Sequence, residues 1–133
     1  DRLGVPLLAM MYPRGPKISS EHAEEFVSHA ARLGAELGAD IIKTNYTGDI
    51  ESFRRVVQGC PVPVVVAGGP KMSSARDVLE LVHASIQAGA AGLSIGRNVF
   101  QHASPTKMVE VLGAIVHRNA TVQEAIKILE ATG

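Results

Sequence analysis

The segment Asp40-Ile41-Ile42-Lys43-Thr44-Asn45-Tyr46-Thr47-Gly48-Asp49 decides how the chain is read. Its apolar opening reads as a buried β-strand, and a lysine is set into the carboxyl end of that strand. Lysine is rarely buried without a partner, and a desolvated amine loses its proton near neutral pH and becomes a nucleophile. A strand-end lysine that snorkels to solvent fits the same residues. What the other strand ends carry has to separate the two readings.

Outward from this segment, apolar strands alternate with amphipathic helices. On the amino-terminal side, Pro6 to Tyr12 is apolar almost throughout, as a strand covered on both faces would be, and Tyr12-Pro13-Arg14-Gly15-Pro16 breaks it. Ser20 then caps a helix to about Leu37, with Phe26, Ala30, Leu33 and Leu37 on its inner face and Gly38 as its stop. On the carboxyl side, Asp49 caps a short helix that turns Phe53, Val56 and Val57 inward and ends at Gly59. Pro63 to Gly68 is the most β-branched run and reads as the third strand.

A helix from Ser74 to Ala88 follows, with Val78, Leu81, Val82 and Ile86 as its stripe, then a strand from Gly92 to Gly96. Arg97 to His102 reads as one short helical turn. Ser104-Pro105 opens a helix to about Arg118, and Thr121-Val122-Gln123-Glu124 is a capping box for a last helix.

This order of strands and crossover helices implies an α/β fold with a parallel sheet and right-handed connections. An open doubly wound sheet fits, and so does half of a barrel whose usual length of roughly 250 residues is about twice this chain. The sequence opens at Asp1, without a methionine and almost directly on a strand. The expectation is therefore the carboxyl-terminal half of a TIM (β/α)8 barrel, its last four βα units plus a C-terminal helix, with residues 1–133 forming a single partial domain.

Composition narrows the partners. Thirteen Lys and Arg residues balance thirteen Asp and Glu, and without a basic run neither nucleic acid nor an anionic membrane is an expected partner. No apolar run approaches the ~18 residues of a membrane span, and no signal segment opens the chain. One cysteine, Cys60 in Gly59-Cys60-Pro61, excludes an internal disulfide framework and fits a reducing compartment, so a cytoplasmic protein is expected.

In either architecture the active site lies where the strands end. Those ends carry Tyr12-Pro13-Arg14-Gly15, Lys43-Thr44-Asn45, Gly68-Gly69-Pro70-Lys71 and Gly96-Arg97-Asn98. Alternation places Tyr12 on the face of Leu8 and Met10, and Lys43 on the face of Ile41 and Asn45, so both can meet over one pocket. Neither glycine turn matches a dinucleotide or P-loop spacing. As the last two turns of a barrel, however, Gly68-Gly69 and Gly96-Arg97 occupy the places where backbone N–H groups and a short helix bind phosphate, and Arg97 adds a bidentate guanidinium.

His22 and His29 share a helical face but lack a third ligand, so no metal is expected; His83, His102 and His117 read as surface or partly packed residues. Asp49, Ser73 and Ser74 are helix caps, and Asp40 lies at the wrong end of its strand to reach a substrate.

Met11-Tyr12-Pro13-Arg14-Gly15, Lys43 with Tyr46-Thr47-Gly48-Asp49, Ala67-Gly68-Gly69-Pro70-Lys71 and Gly96-Arg97-Asn98-Val99-Phe100-Gln101 together resemble the archaeal-type class I aldolase family. The resemblance covers nearly the whole chain, in order, with each motif on a strand end. It implies that Lys43 forms a Schiff base with a ketose phosphate and that Tyr12 is the proton donor. It places the substrate phosphate at Gly68, Gly69, Gly96 and Arg97, with Pro13 and Arg14 also near the substrate.

The resemblance further implies an aldehyde acceptor, a homo-oligomer, and no metal or organic cofactor. The family's third catalytic group, an aspartate ending the first barrel strand, has no counterpart in this sequence. Met10, where the family's fructose-bisphosphate aldolases carry tryptophan, and Gly59-Cys60-Pro61 point to a synthase branch that passes the retained fragment to a second aldehyde. The alternatives are a class I fructose-bisphosphate aldolase and, outside enzymes, a phosphate-binding α/β module with Lys43 as an ordinary pocket cation.

Overall fold

A computed structural model describes residues 2–131. Four strands, β1 (Leu8–Met10), β2 (Ile41–Thr44), β3 (Val64–Ala67) and β4 (Gly92–Ser94), form one parallel sheet in chain order. Between them run α1 (Glu24–Glu36), α2 (Ile50–Gly59) and α3 (Ala75–Gln87), followed by α4 (Arg97–Phe100), α5 (Pro105–Arg118) and α6 (Val122–Glu130). Sequential parallel neighbours joined by crossover helices are the repeating unit of a (β/α)8 barrel, and this chain holds four such units with α6 added.

Pairing across the strands sorts the side chains. Leu8 lies beside Ile41 and Met10 beside Lys43, and Lys43 lies beside Val65, so these residues share one face. The opposite face holds Ile42, Thr44, Val64 and Val66, all fully buried. Ile42, Val64 and Val66 pack with Val27 and Ala31 of α1 and with Phe53 and Val56 of α2 into one core cluster. A second cluster joins Val78, Leu79 and Val82 of α3 to Met108, Val111, Leu112 and Ile115 of α5 and to Ala125 of α6.

The caps follow the sequence. The Asp49 carboxylate accepts the Ser52 backbone N–H at 2.9 Å. Ser74 with Asp77 and Thr121 with Glu124 form reciprocal capping boxes. Gly38 ends the first helical unit at φ 99°, a conformation that costs glycine nothing.

Three expectations need correction. The first helix begins at Glu24, because the Ser20 hydroxyl accepts the His22 N–H and the Ser20 carbonyl accepts the Ala23 N–H, closing a separate turn. Its buried residues are Val27, Ala30, Ala31 and Gly34, while Leu33 and Leu37 are exposed. Small residues win that face because the helix lies close to the sheet: a Cβ on Gly34 would stand 2.7 Å from Ile42 Cδ1 and 2.8 Å from Met11 Cγ. Finally, the first strand is not covered on both faces. Leu7, Leu8 and Met10 are exposed, since β1 is an edge strand and no helix covers the face that carries Leu8 and Met10.

Candidate active site

Lys43 projects from the face that the helices leave open, beside Met10 on β1 and Val65 on β3. It is half-buried, for the same reason that Met10 is exposed. Two bonds tie its strand to the end of β1: the Met11 N–H donates to the Lys43 carbonyl at 2.8 Å, and the buried Thr44 hydroxyl donates to the Met11 carbonyl at 2.8 Å. The next residue, Tyr12, is thereby held at the rim beside the lysine.

A cleft of about 400 Å³ opens there, lined by Tyr12, Arg14, Lys43, Gly68, Gly69, Gly96 and Arg97 together with Glu21, His22, Asn45, Ser94 and Phe100. Its size suits a small metabolite. Four strand ends meet in it, so residues as far apart in the chain as Tyr12 and Arg97 share one space. Pro13 lies between two lining residues without lining the cleft itself. Burial holds the Tyr12 phenol above its ordinary value, Arg14 pulling it down and Glu21 pushing it up. The phenol therefore keeps its proton through the neutral range and can give it to a reacting oxygen.

The two glycine turns pack as one body. Gly69 adopts φ 61°, which turns the backbone after β3, and the Arg97 guanidinium donates to its carbonyl at 3.2 Å. Gly68 has no room for a side chain, since a Cβ would lie 2.6 Å from Ile95 Cγ2. Asn98 joins the turns and was not singled out by the sequence reading. Its buried amide donates to the carbonyls of Gly68 at 2.9 Å and Pro70 at 3.0 Å, and its oxygen accepts the Met72 N–H at 2.7 Å. Full satisfaction of a buried amide by one loop makes that loop a rigid platform. The sequence signal was weak, since Asn98 is one polar residue in a short turn that also carries Arg97, Gln101 and His102.

Glu21 and His22 were also missed as lining residues. Both precede the first helix, and what brings them to Lys43 is the end of β2. The buried Asn45 amide donates to the Glu21 carbonyl at 3.1 Å, and His22 Nδ1 lies 3.0 Å from the Tyr46 carbonyl. No group of three or more metal-binding side chains occurs among the described residues, and His22 stands in the cleft rather than beside His29 in a metal site.

The parallel βα units are those of a barrel aldolase, and the chain belongs to the DeoC/LacD aldolase family, whose pattern matches residues 1–102. The chain is 48% identical over 126 residues to a 2-amino-3,7-dideoxy-D-threo-hept-6-ulosonate synthase of Halobacterium salinarum, covering 95% of this chain and 47% of that protein. It is 45% identical over 121 residues to a 2-amino-4,5-dihydroxy-6-oxo-7-(phosphonooxy)heptanoate synthase of Streptomyces griseus, covering 91% of this chain and 44% of that protein.

Among solved structures, an archaeal fructose-1,6-bisphosphate aldolase with its catalytic lysine covalently bound to the carbinolamine intermediate of the substrate superposes with a TM-score of 0.82 at 40% identity, covering 86% of this chain and 46% of that one. The chain thus spans about half the length of the relatives it matches.

Proposed function

We propose that these residues form the Schiff-base half of an aldolase site, in a transaldolase that acts on a ketose phosphate. The observation that carries this reading is the opening of Lys43 and Tyr12 into the same cleft as Gly68, Gly69, Gly96 and Arg97. An amine, a protonated phenol and an anion platform are what carbon–carbon cleavage next to a ketone requires.

The Lys43 amine adds to the donor's ketone carbonyl, and the carbinolamine loses water to give an iminium. The bond between the carbons α and β to that centre breaks, and its electron pair moves into the iminium to leave an enamine. The β-hydroxyl gives up its proton to water by way of Tyr12, whose phenol passes on its own proton as it takes this one, and the leaving fragment becomes an aldehyde. The enamine then attacks the carbonyl carbon of an incoming aldehyde, the resulting alkoxide takes a proton, and water hydrolyses the new iminium to free Lys43. Gly69, Gly96 and Arg97 hold the donor phosphate until the carbon–carbon bond breaks. Neither a metal nor an organic cofactor takes part in these steps.

Within the family we infer a 2-amino-3,7-dideoxy-D-threo-hept-6-ulosonate synthase. In this reading 6-deoxy-5-ketofructose 1-phosphate is cleaved, hydroxypyruvaldehyde phosphate leaves, and the retained fragment is joined to L-aspartate semialdehyde on a route to 3-dehydroquinate and the aromatic amino acids. The identity to the Halobacterium and Streptomyces proteins favours it, since both names describe a seven-carbon 2-amino acid with a ketone at the sixth carbon. The likeness to the fructose-bisphosphate aldolase structure favours the alternative, a class I fructose-bisphosphate aldolase.

Borohydride trapping of the complete gene product with each ketose phosphate separates the two readings. Mass spectrometry is expected to find a reduced adduct on Lys43, and Lys43→Ala is expected to abolish both adduct and turnover. A folded protein that turns over neither donor, gives no adduct and is merely stabilised by phosphate would instead be a phosphate-binding module.

A further inference from the structure

The glycine turns and Arg97 account for one side of the cleft, beyond β3 and β4. Across Lys43, the loop after β1 presents charges of both signs. Arg14 Nη2 stands 3.6 Å from Glu21 Oε2, too far for a hydrogen bond, and His22 Nε2 stands 3.9 Å from Glu21 Oε1. Among the described residues the Arg14 guanidinium donates no hydrogen bond, so its fork is open to a ligand. The position of this rim is built rather than incidental, because Asn45 grips the Glu21 carbonyl and His22 Nδ1 meets the Tyr46 carbonyl. A carbonyl only accepts, so Nδ1 carries the proton and Nε2 is left facing Glu21.

A second phosphate has no use for a carboxylate, which repels it. A ligand carrying a carboxylate and an ammonium on one carbon satisfies both groups at once. We propose that Arg14 and Glu21, backed by His22, form the specificity site for an aldehyde acceptor that carries an α-amino acid head, Arg14 taking its carboxylate and Glu21 its ammonium. The strand order supports the arrangement. β2 lies between β1 and β3, so the Lys43 amine stands between this rim and the phosphate platform, where an enamine can meet the acceptor aldehyde. The proposal rests on the transaldolase reading for its chemistry but not for its binding.

Two measurements on the complete gene product keep these separate. Calorimetry with L-homoserine, the unreactive alcohol of L-aspartate semialdehyde, and with 4-hydroxybutyrate, which lacks the ammonium, reads the seat without any Schiff base. L-Homoserine is expected to bind more tightly, with the preference falling roughly 10- to 100-fold in Glu21→Gln, the range set by a hydrogen bond to a charged group, and returning in part in Glu21→Asp. Equal binding of the two alcohols, or a preference untouched by Glu21→Gln, overturns the proposal.

In turnover, the ratio of kcat/KM for L-aspartate semialdehyde to that for succinate semialdehyde is expected to fall by the same factor in Glu21→Gln; an unchanged ratio overturns the proposal. Homoserine preference with no borohydride adduct on Lys43 would sink the transaldolase reading and leave the amino-acid seat standing. An adduct without any homoserine preference would do the reverse.

Discussion

At the scale of single residues, the cleft depends on buried amides that hold loops, as much as on groups that face a substrate. Asn98 satisfies three backbone groups of the loop after β3, and Asn45 satisfies the Glu21 carbonyl in the loop after β1. Replacing Asn98 by aspartate removes both donated bonds and sets a carboxylate against two carbonyls. Each lost partner costs about 1–3 kcal/mol. Asn98→Asp is expected to lower the thermal midpoint and to raise KM for the ketose phosphate more than it lowers kcat; steady-state kinetics beside a melting curve check both.

Among elements, the turn after β3 and the helix starts are the parts most sensitive to small changes. A methyl group on Gly68 would meet the β-branched, conformationally stiff Ile95, so Gly68→Ala forces the turn or β4 to move. Overpacking of this kind costs about 1–3 kcal/mol; denaturant unfolding should show that loss together with weakened phosphate protection.

The helix caps make stability depend on pH. At the caps, hydrogen bonds hold the carboxyls of Asp49, through the Ser52 hydroxyl, of Asp77, through Ser73, and of Glu124, through the Thr121 backbone, below their ordinary values. A depressed carboxyl stabilises the fold fully above its unfolded pKa of about 4 and loses that contribution as pH falls through the lower folded value. Melting curves should therefore be flat near pH 7 and fall below about pH 4, with a shallower fall in Asp77→Asn.

Over the whole molecule, the dominant feature is an open sheet. β1 and β4 are edges, and Leu8 and Met10 are exposed on the face that a closed barrel would bury. A groove of about 450 Å³ lined by Val65, Leu93, Ile95, Val109 and Leu112 marks the other edge. Unpaired parallel edges and apolar surface invite pairing with another chain. The 133 residues on their own are expected to scatter light as species larger than 14.0 kDa, and Met10→Lys is expected to reduce that association. No helix among the described residues is long and apolar enough to cross a membrane.

Much of this was legible in the sequence because it is local. Alternation and capping placed all four strands, the Asp49, Ser74 and Thr121 caps, and the strand ends that carry Tyr12, Lys43 and the glycine turns. Period alone could not choose the inner face of α1. Leu33 is the more hydrophobic residue, but the face that packs on the sheet carries Val27, Ala30, Ala31 and Gly34, and Ile42 and Met11 leave no room for a side chain at Gly34. Nor could it find Glu21, His22, Asn45 and Asn98, whose roles come from hydrogen bonds spanning 24 to 30 positions along the chain. The sequence by itself determined which chemical groups end the strands. Only the tertiary structure decided that Lys43 stands between the glycine turns after β3 and β4 and a rim of paired charges, because that juxtaposition is set by strand order and packing between distant segments.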